Sequence, residues 1–318
     1  MSSRASLDDV ANALAARLPR RVTRDVSSAG LTTYRCGGPL AIVVRAETEN
    51  DLAAIAGHVH DVPTLVIGRG SNLLVADAGF PGVAIVLAGE FEQLDIGSVS
   101  GEGVSIRAGA AVALPVLARR TAAAGVAGLE FYVGIPGSVG GAVRMNAGGH
   151  GAQTDDVILG ATVFDLDRGA ATDVARPQLG LGYRRSALAP RAVVLAAAFT
   201  GRTDAPDACA VRIDEIVRWR REHQPGGQNA GSVFTNPPDD SAGRLIEAAG
   251  CKGVRVGGAV VSEKHANFFV AEPGARAADV YELIDLVRTR VRDATGVRLE
   301  RELHLVGFET AWTDAEAS

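Results

Sequence analysis

The chain has 318 residues, 47% hydrophobic and 22% charged, with a formal net charge of −5. Single cores rarely grow beyond ~250 residues, so two or three domains are expected, and the composition is that of an ordinary globular protein. A negative balance without any lysine or arginine cluster excludes a nucleic-acid partner recognised by charge. Cys36, Cys209 and Cys251 lie far apart without CxxC spacing, which favours isolated reduced thiols over a disulfide framework or a structural zinc site. No apolar run approaches the ~20 residues that span a bilayer. The N-terminal MSSRASLDDVANALAARLPR carries acidic residues where a signal peptide would be apolar. A cytoplasmic soluble protein with no metal site and no membrane partner is expected.

From the N-terminus, Ser6 with Asp9 three residues on resembles a capping box, and Val10, Leu14 and Leu18 repeat at helical spacing before Pro19. This predicts a short amphipathic helix within residues 1–21. LAIVVRAET then reads as a strand, ENDLAAIAGHVHD as a helix and TLVIG as a second strand. GVAIVL and VSIRAGA follow as strands, ALPVLARRTAAAG as a helix stopped by Gly125, and VILGATVFDL and AVVLAAAFT as further strands. Residues 22–203 thus read as one α+β unit with glycine-rich turns at strand ends. GRTDAPDA looks like a linker. Beyond it DEIVRWRREHQ predicts a helix stopping before Pro225, and AGRLIEAAG a short helix. Residues 278–295 place Val280, Leu283, Ile284, Val287 and Val291 on one helical face that ends at Gly296. VRLERELHLVG alternates as a closing strand, with Arg298, Glu300, Glu302 and His304 opposite Leu299, Leu303 and Leu305. Residues 204–310 would form a second α+β domain and 311–318 a tail.

Two stretches carry chemistry. GRGSNLLV, at 68–75, follows an apolar strand, and Gly68 and Gly70 let consecutive N–H groups turn toward one anion. Ser71 and Asn72 add side-chain donors, although a simple tight turn is an equally good reading of the stretch alone. No GK[ST] follows, so it is not a Walker loop, and no GxGxxG opens a long helix as in a Rossmann site. GIPGSVGGAVRMNAGG, at 134–149, is either a flexible surface loop or a place where something large and planar meets the main chain. Two such elements in one unit suggest a dinucleotide, whose pyrophosphate and wide ring each need donors without side-chain bulk.

The chain resembles the UDP-N-acetylenolpyruvoylglucosamine reductases, flavoenzymes of the second committed step of bacterial peptidoglycan synthesis. The resemblance lies in TTYRCGGPL at 32–40, GRGSNLLV, GLEFYVGIPGSVGGAVRMNAGGHG at 128–151, YRRS at 183–186, AGSVFTNP at 230–237, AGRLIEAAGCKG at 242–253, SEKHANFFV at 262–270 and LEREL at 299–303. These blocks keep the family's order over nearly the whole chain. The short segment between YRRS and AGSVF resembles the subclass without the inserted tyrosine-bearing loop that covers the substrate. The resemblance implies a FAD-binding domain of the vanillyl-alcohol-oxidase (PCMH) type and a separate C-terminal α+β substrate-binding domain closing over the isoalloxazine.

It further implies non-covalent FAD held by Gly68, Arg69, Gly70, Ser71, Asn72 and Leu73 and by Gly134, Ile135, Pro136, Gly137, Ser138, Gly140, Gly141 and Ala142. NADPH would be the reductant and UDP-N-acetylglucosamine enolpyruvate the substrate of a monomeric enzyme. Hydride added to the vinyl carbon C3 puts negative charge on the substrate carboxylate, so a cation and an acid are needed there and a proton donor at C2. By motif these are Arg184, Glu302 and Ser232, with Arg185 and Glu300 as competing choices. Substrate-binding roles fall by motif to Tyr183, Asn236, Lys264 and Asn267, although a structural role for the SEKHAN stretch is equally well supported. His265 is read as structural. Thr235 stands where many relatives carry lysine. The alternatives are another oxidase or dehydrogenase on the same flavin domain and a sugar-nucleotide-binding relative without activity. A single cleft serving reductant and substrate predicts ping-pong kinetics.

Overall fold

The computed structural model describes residues 6–100 and 103–308, so the expected tail at 311–318 lies outside the described residues. The expected capping box is formed: Asp9 N–H donates to Ser6 Oγ at 3.2 Å and Ser6 N–H to Asp9 Oδ2 at 3.3 Å. The helix it starts, Leu7–Arg17, buries Val10, Ala11 and Leu14.

Residues separate into two compact units, one of residues up to 24, 42–71 and 82–226, the other of residues 25–41, 72–81 and from 227 onward. The unit boundaries therefore fall inside the strands Val22–Ser27, Pro39–Ala46 and Phe80–Leu87. These strands and Thr64–Ile67 form a four-stranded sheet. Its last pair, Thr64–Ile67 on Phe80–Leu87, is parallel.

The main sheet of the first unit is antiparallel, in the order Ala170–Ala175, Ile158–Asp165, Ala192–Thr203, Gly103–Gly109, Leu94–Ser100. Ala192–Thr203 is its central strand and is buried continuously from Ala192 to Ala197. Its apolar run, rich in small alanines, therefore lacks the alternation of a half-exposed strand. Helices Leu114–Ala123 and Pro206–His223 close the core through Leu114, Leu117, Cys209 and Ile213.

In the second unit, helix Ala277–Thr295 buries the predicted face, Val280, Leu283, Ile284, Val287 and Val291, and ends at Gly296 with φ +75°. With it pack helix Ala242–Ala248 and the antiparallel strands Arg255–Val256, Ala259–Val261 and Phe269–Ala271. Leu73–Val75 and His304–Val306 form a parallel pair.

Three expectations change. GRTDAPDA is not a linker: the strand runs to Thr203 and the next helix starts at Pro206. That helix belongs to the first unit because Cys209 and Ile213 sit in its core, which moves the boundary expected after 203 to 226. The closing strand is regular only over His304–Val306, although Leu299 and Leu303 face the core as the alternation requires.

Candidate active site

In the first unit the two glycine-rich segments lie against each other. A Cβ added to Gly68 would stand 2.3 Å from Ser138 Oγ, and one on Gly137 would stand 3.7 Å from Ser71 Oγ. Gly70 has φ +60°, a conformation open to glycine at little cost. Ser138 opens the helix Val139–Met145, so half of the stretch expected to be bare loop is helical. Gly140 is packed tightly: its N–H donates to the Ala110 carbonyl at 2.9 Å, and a Cβ would stand 3.0 Å from Ala110 Cβ. Gly141 is exposed, and beyond its own helix backbone and chain neighbours the atom nearest an added Cβ is Ser138 Oγ at 3.6 Å.

The flanks of this segment are tied down. Tyr132 donates to Thr154 Oγ1 at 3.0 Å, and Thr154 Oγ1 donates to the Ala147 carbonyl at 3.0 Å. Glu130 accepts from Gly128 N–H at 2.7 Å and from Arg212 Nε at 2.8 Å, while Arg212 Nη2 donates to Asp204 at 2.7 Å. Burial pushes the Glu130 carboxyl up, but the N–H donors of Glu130 and Gly128 and the Arg212 guanidinium outweigh it and hold it below the usual range. Arg144 donates to the carbonyls of Leu188 at 3.0 Å, Ala189 at 2.9 Å and Ala192. Asn146 ends the helix with φ +42°; its Oδ1 accepts from Asp155 N–H at 2.9 Å and its Nδ2 donates to the Gly182 carbonyl at 3.0 Å.

Gly182 begins the turn that presents the YRRS arginines. Gly182 and Arg185 exchange main-chain hydrogen bonds of 3.0 and 3.2 Å, and Arg184 between them has φ +56°. A left-handed conformation costs a side-chain-bearing residue roughly 1–2 kcal/mol. Held so, the Arg184 guanidinium donates from Nη2 to the Gly148 carbonyl at 3.2 Å and lies 5.1 Å from the Tyr183 ring centre. Tyr183 is 52% exposed. Arg185 is exposed, so Arg184 is the arginine carried to the glycine-rich segment.

In the second unit the main chain sets the segment of Ser232 beside that of Glu302. Val233 N–H donates to the Asn267 carbonyl at 2.9 Å on one side of segment 230–236, and Glu302 N–H donates to the Val233 carbonyl at 2.8 Å on the other. Thr235 donates from N–H at 2.9 Å and from its hydroxyl at 3.3 Å to the Glu300 carbonyl. Of the two readings left open for Asn267, substrate contact and a structural role, its contacts fit the structural one. It is 3% exposed, its Oδ1 accepts from Phe234 N–H at 3.0 Å and its Nδ2 donates to the Phe234 carbonyl at 2.8 Å, so its amide holds the Ser232 segment. Asn236 Oδ1 accepts from Ala242 N–H at 3.0 Å at the start of a helix. Lys264 is exposed. His265 Nδ1 accepts from Asn267 N–H at 3.2 Å, and burial pushes the imidazole pKa down, as suits the structural role expected of it. Leu73 pairs in register with His304, and Asn72 Nδ2 donates to the Glu302 carbonyl at 3.1 Å.

Residues 39–174 match the model of an FAD binding domain, and residues 223–306 that of the UDP-N-acetylenolpyruvoylglucosamine reductase C-terminal domain. The UDP-N-acetylenolpyruvoylglucosamine reductase of Nitrobacter hamburgensis is 40% identical over 306 residues, covering 95% of this chain and 99% of its own. That of Paramagnetospirillum magneticum is 42% identical over 295 residues, covering 92% and 94%. The crystal structure of the Thermus caldophilus reductase is similar with a TM-score of 0.77 at 39% identity, covering 90% of this chain and 99% of that one. The chain belongs to the UDP-N-acetylenolpyruvoylglucosamine reductase family.

The residues present fit the FAD of this reductase family. Gly68 and Gly141 are exposed, and the side chain nearest an added Cβ at either is the small hydroxyl of Ser138, so a diphosphate and a flat ring system can reach the main chain there. The family motifs pointed to Arg184, Ser232 and Glu302 but not to the residues that hold them. Glu130, Arg144 and Asn146 lie inside the quoted block 128–151, where charged or amide side chains amid glycines and apolar residues were the available signal. Arg212 gave none, because its partner Glu130 is far away in sequence.

Proposed function

We propose that the chain reduces UDP-N-acetylglucosamine enolpyruvate to UDP-N-acetylmuramate with NADPH as the electron source, in bacterial peptidoglycan synthesis. When bound, FAD supplies two-electron hydride chemistry between NADPH and the enolpyruvyl double bond. The cofactor is held without a covalent bond by the main chain of 68–71 and 134–142. Three free, buried thiols suit a reducing cytoplasm.

The protein's part is to manage charge and one proton. As hydride adds at C3, the double-bond electrons move toward C2 and the carboxylate. Arg184 binds that carboxylate through a planar guanidinium, which can give two parallel hydrogen bonds where lysine cannot. Glu302, in its protonated form, donates to the same carboxylate, and Ser232 delivers the proton to C2. The product has gained one hydride and one proton across the double bond, and the serine alkoxide left behind is reprotonated from solvent. A hydroxyl is a weak acid, so it works here only because the enolate is strongly basic. Tyr183, Asn236 and Lys264 remain the residues for substrate contact, and the exposed Lys264 ammonium suits a phosphate.

The observation that carries this reading is the pairing of Glu302 N–H with the Val233 carbonyl at 2.8 Å, which sets an acid and a hydroxyl on neighbouring segments. Ser232→Ala tests it in anaerobic half-reactions. NADPH should still bleach the flavin at close to the native rate, while reoxidation by the enolpyruvyl compound should slow about 10²–10⁴-fold, the usual worth of a positioned acid. If both half-reactions stay native, Ser232 is not the proton donor.

A further inference from the structure

Asn72 closes the GRGSN stretch, and its side chain would by its position in the motif serve the cofactor. Within the second unit it does something else. Nδ2 donates to the Glu302 carbonyl at 3.1 Å, and the Asn72 carbonyl accepts from His304 N–H at 3.2 Å. One asparagine thus binds the peptide groups on both sides of Leu303, next to the parallel pairing of Leu73–Val75 with His304–Val306. Glu302 N–H is meanwhile held by the Val233 carbonyl at 2.8 Å. The parallel pairing with 73–75 begins only at His304. Before it, the bridge of Arg301 with Phe234 holds the backbone at Glu302 from one side, and the Asn72 amide holds it from the other.

We propose that Asn72 is a positioning residue for Glu302, tying the acid to the end of the glycine-rich loop rather than binding the cofactor through its side chain. The proposal rests on the reading of Glu302 given under Proposed function. It predicts that removing the amide disturbs the half-reaction that needs Glu302 and leaves cofactor content intact.

The test uses the full chain with FAD and the variants Asn72→Ala and Asn72→Asp. Hydrogen exchange of the peptide 299–306, read by mass spectrometry, should quicken in both variants while flavin stoichiometry stays native. Reoxidation of the reduced enzyme by the enolpyruvyl compound should fall about tenfold to a hundredfold, as expected for a displacement on the order of 1 Å, with flavin reduction by NADPH changed far less. The aspartate lacks an N–H donor but can donate O–H once protonated. Its reoxidation rate relative to Asn72→Ala should therefore rise as pH falls toward ~4, a behaviour that mere loosening of the fold would not give. Loss of FAD with unchanged exchange in 299–306, or native reoxidation in Asn72→Ala, overturns the proposal. If the reduced wild type is not reoxidised by the enolpyruvyl compound, the proposed function itself fails. The exchange of 299–306 then still decides whether Asn72 tethers Glu302.

Discussion

Two pairs of glycines look alike in the sequence and do opposite things in the structure. Gly37 and Gly38, in TTYRCGGPL, are bare because the protein fills the space: a Cβ on Gly37 would stand 2.3 Å from the Val75 carbonyl oxygen, and one on Gly38 would stand 2.1 Å from that of Asp77. For Gly137 and Gly141, in GIPGSVGGA, the atoms nearest an added Cβ beyond the local chain are side-chain atoms of Leu114, Ser71, Ile135 and Ser138, at 3.3 Å or more. The first pair is bare for packing, and the second is the pair proposed to be bare for the cofactor. Glycine content does not separate the two cases; what a Cβ would meet does.

The largest effect should come from breaking the packed pair. Gly38→Ala drives a methyl group into a carbonyl oxygen that belongs to the backbone and cannot swing away. Overpacking of this kind costs roughly 1–3 kcal/mol, and more where the clash is with main chain. Urea unfolding should therefore show a loss of about 3 kcal/mol, or no folded protein at all. Any molecules that do fold should carry FAD in native proportion. A stable Gly38→Ala variant that had lost FAD would reverse the assignment of the two pairs.

A smaller effect should come from the clamp that shapes the open segment. Arg212→Ala leaves the buried Glu130 carboxylate without its guanidinium and should cost about 1–3 kcal/mol at neutral pH. The sign of its pH dependence follows from the lowered folded-state value of Glu130. A depressed carboxyl stabilises the fold above its unfolded value of ~4.3 and loses that contribution as pH falls through the folded value. In Arg212→Ala the guanidinium's share of that lowering is gone, so the gap between native and variant should be full at neutral pH and close as the pH is lowered below ~4. A gap independent of pH would mean that the clamp acts through packing alone.

The same distinction governs what could be read from the sequence. Helix Ala277–Thr295 was legible because five apolar residues repeat on one face and a glycine ends it. The strand Ala192–Thr203 was legible as an apolar run. The start of the helix at Pro206 was hidden, since APDA has turn composition and only the burial of Cys209 and Ile213 in the first core reveals which unit it serves. In the candidate site, the motifs named Arg184, Ser232 and Glu302, whereas their supports depend on contacts distant in sequence. Asn72 to Glu302 and Asn267 to Phe234 are such pairs. An asparagine in a matching block gives no sign of whether its amide faces a ligand or a neighbouring peptide group. For Asn267 the sequence left both readings open, and the structure shows its amide bonded to the Phe234 peptide groups.

The smallest effect on the fold, and the sharpest test of the open pair, belongs to Gly141→Ala. The residue lies in the helix Val139–Met145, and its new Cβ would make an ordinary contact of 3.6 Å with Ser138 Oγ. Helix propensity alone then favours alanine by up to about 1 kcal/mol, so the melting temperature of the FAD-free protein should hold or rise slightly. The methyl group stands where the flavin is proposed to meet the main chain, so FAD should dissociate more readily, read as the free flavin recovered after ultrafiltration. An apoprotein of native or raised stability with weakened FAD binding would mean that the glycine is kept for the ligand. Native FAD retention would mean that the outward face of this helix lies clear of the cofactor, and the flavin contact would then fall to Gly137 and the loop before it.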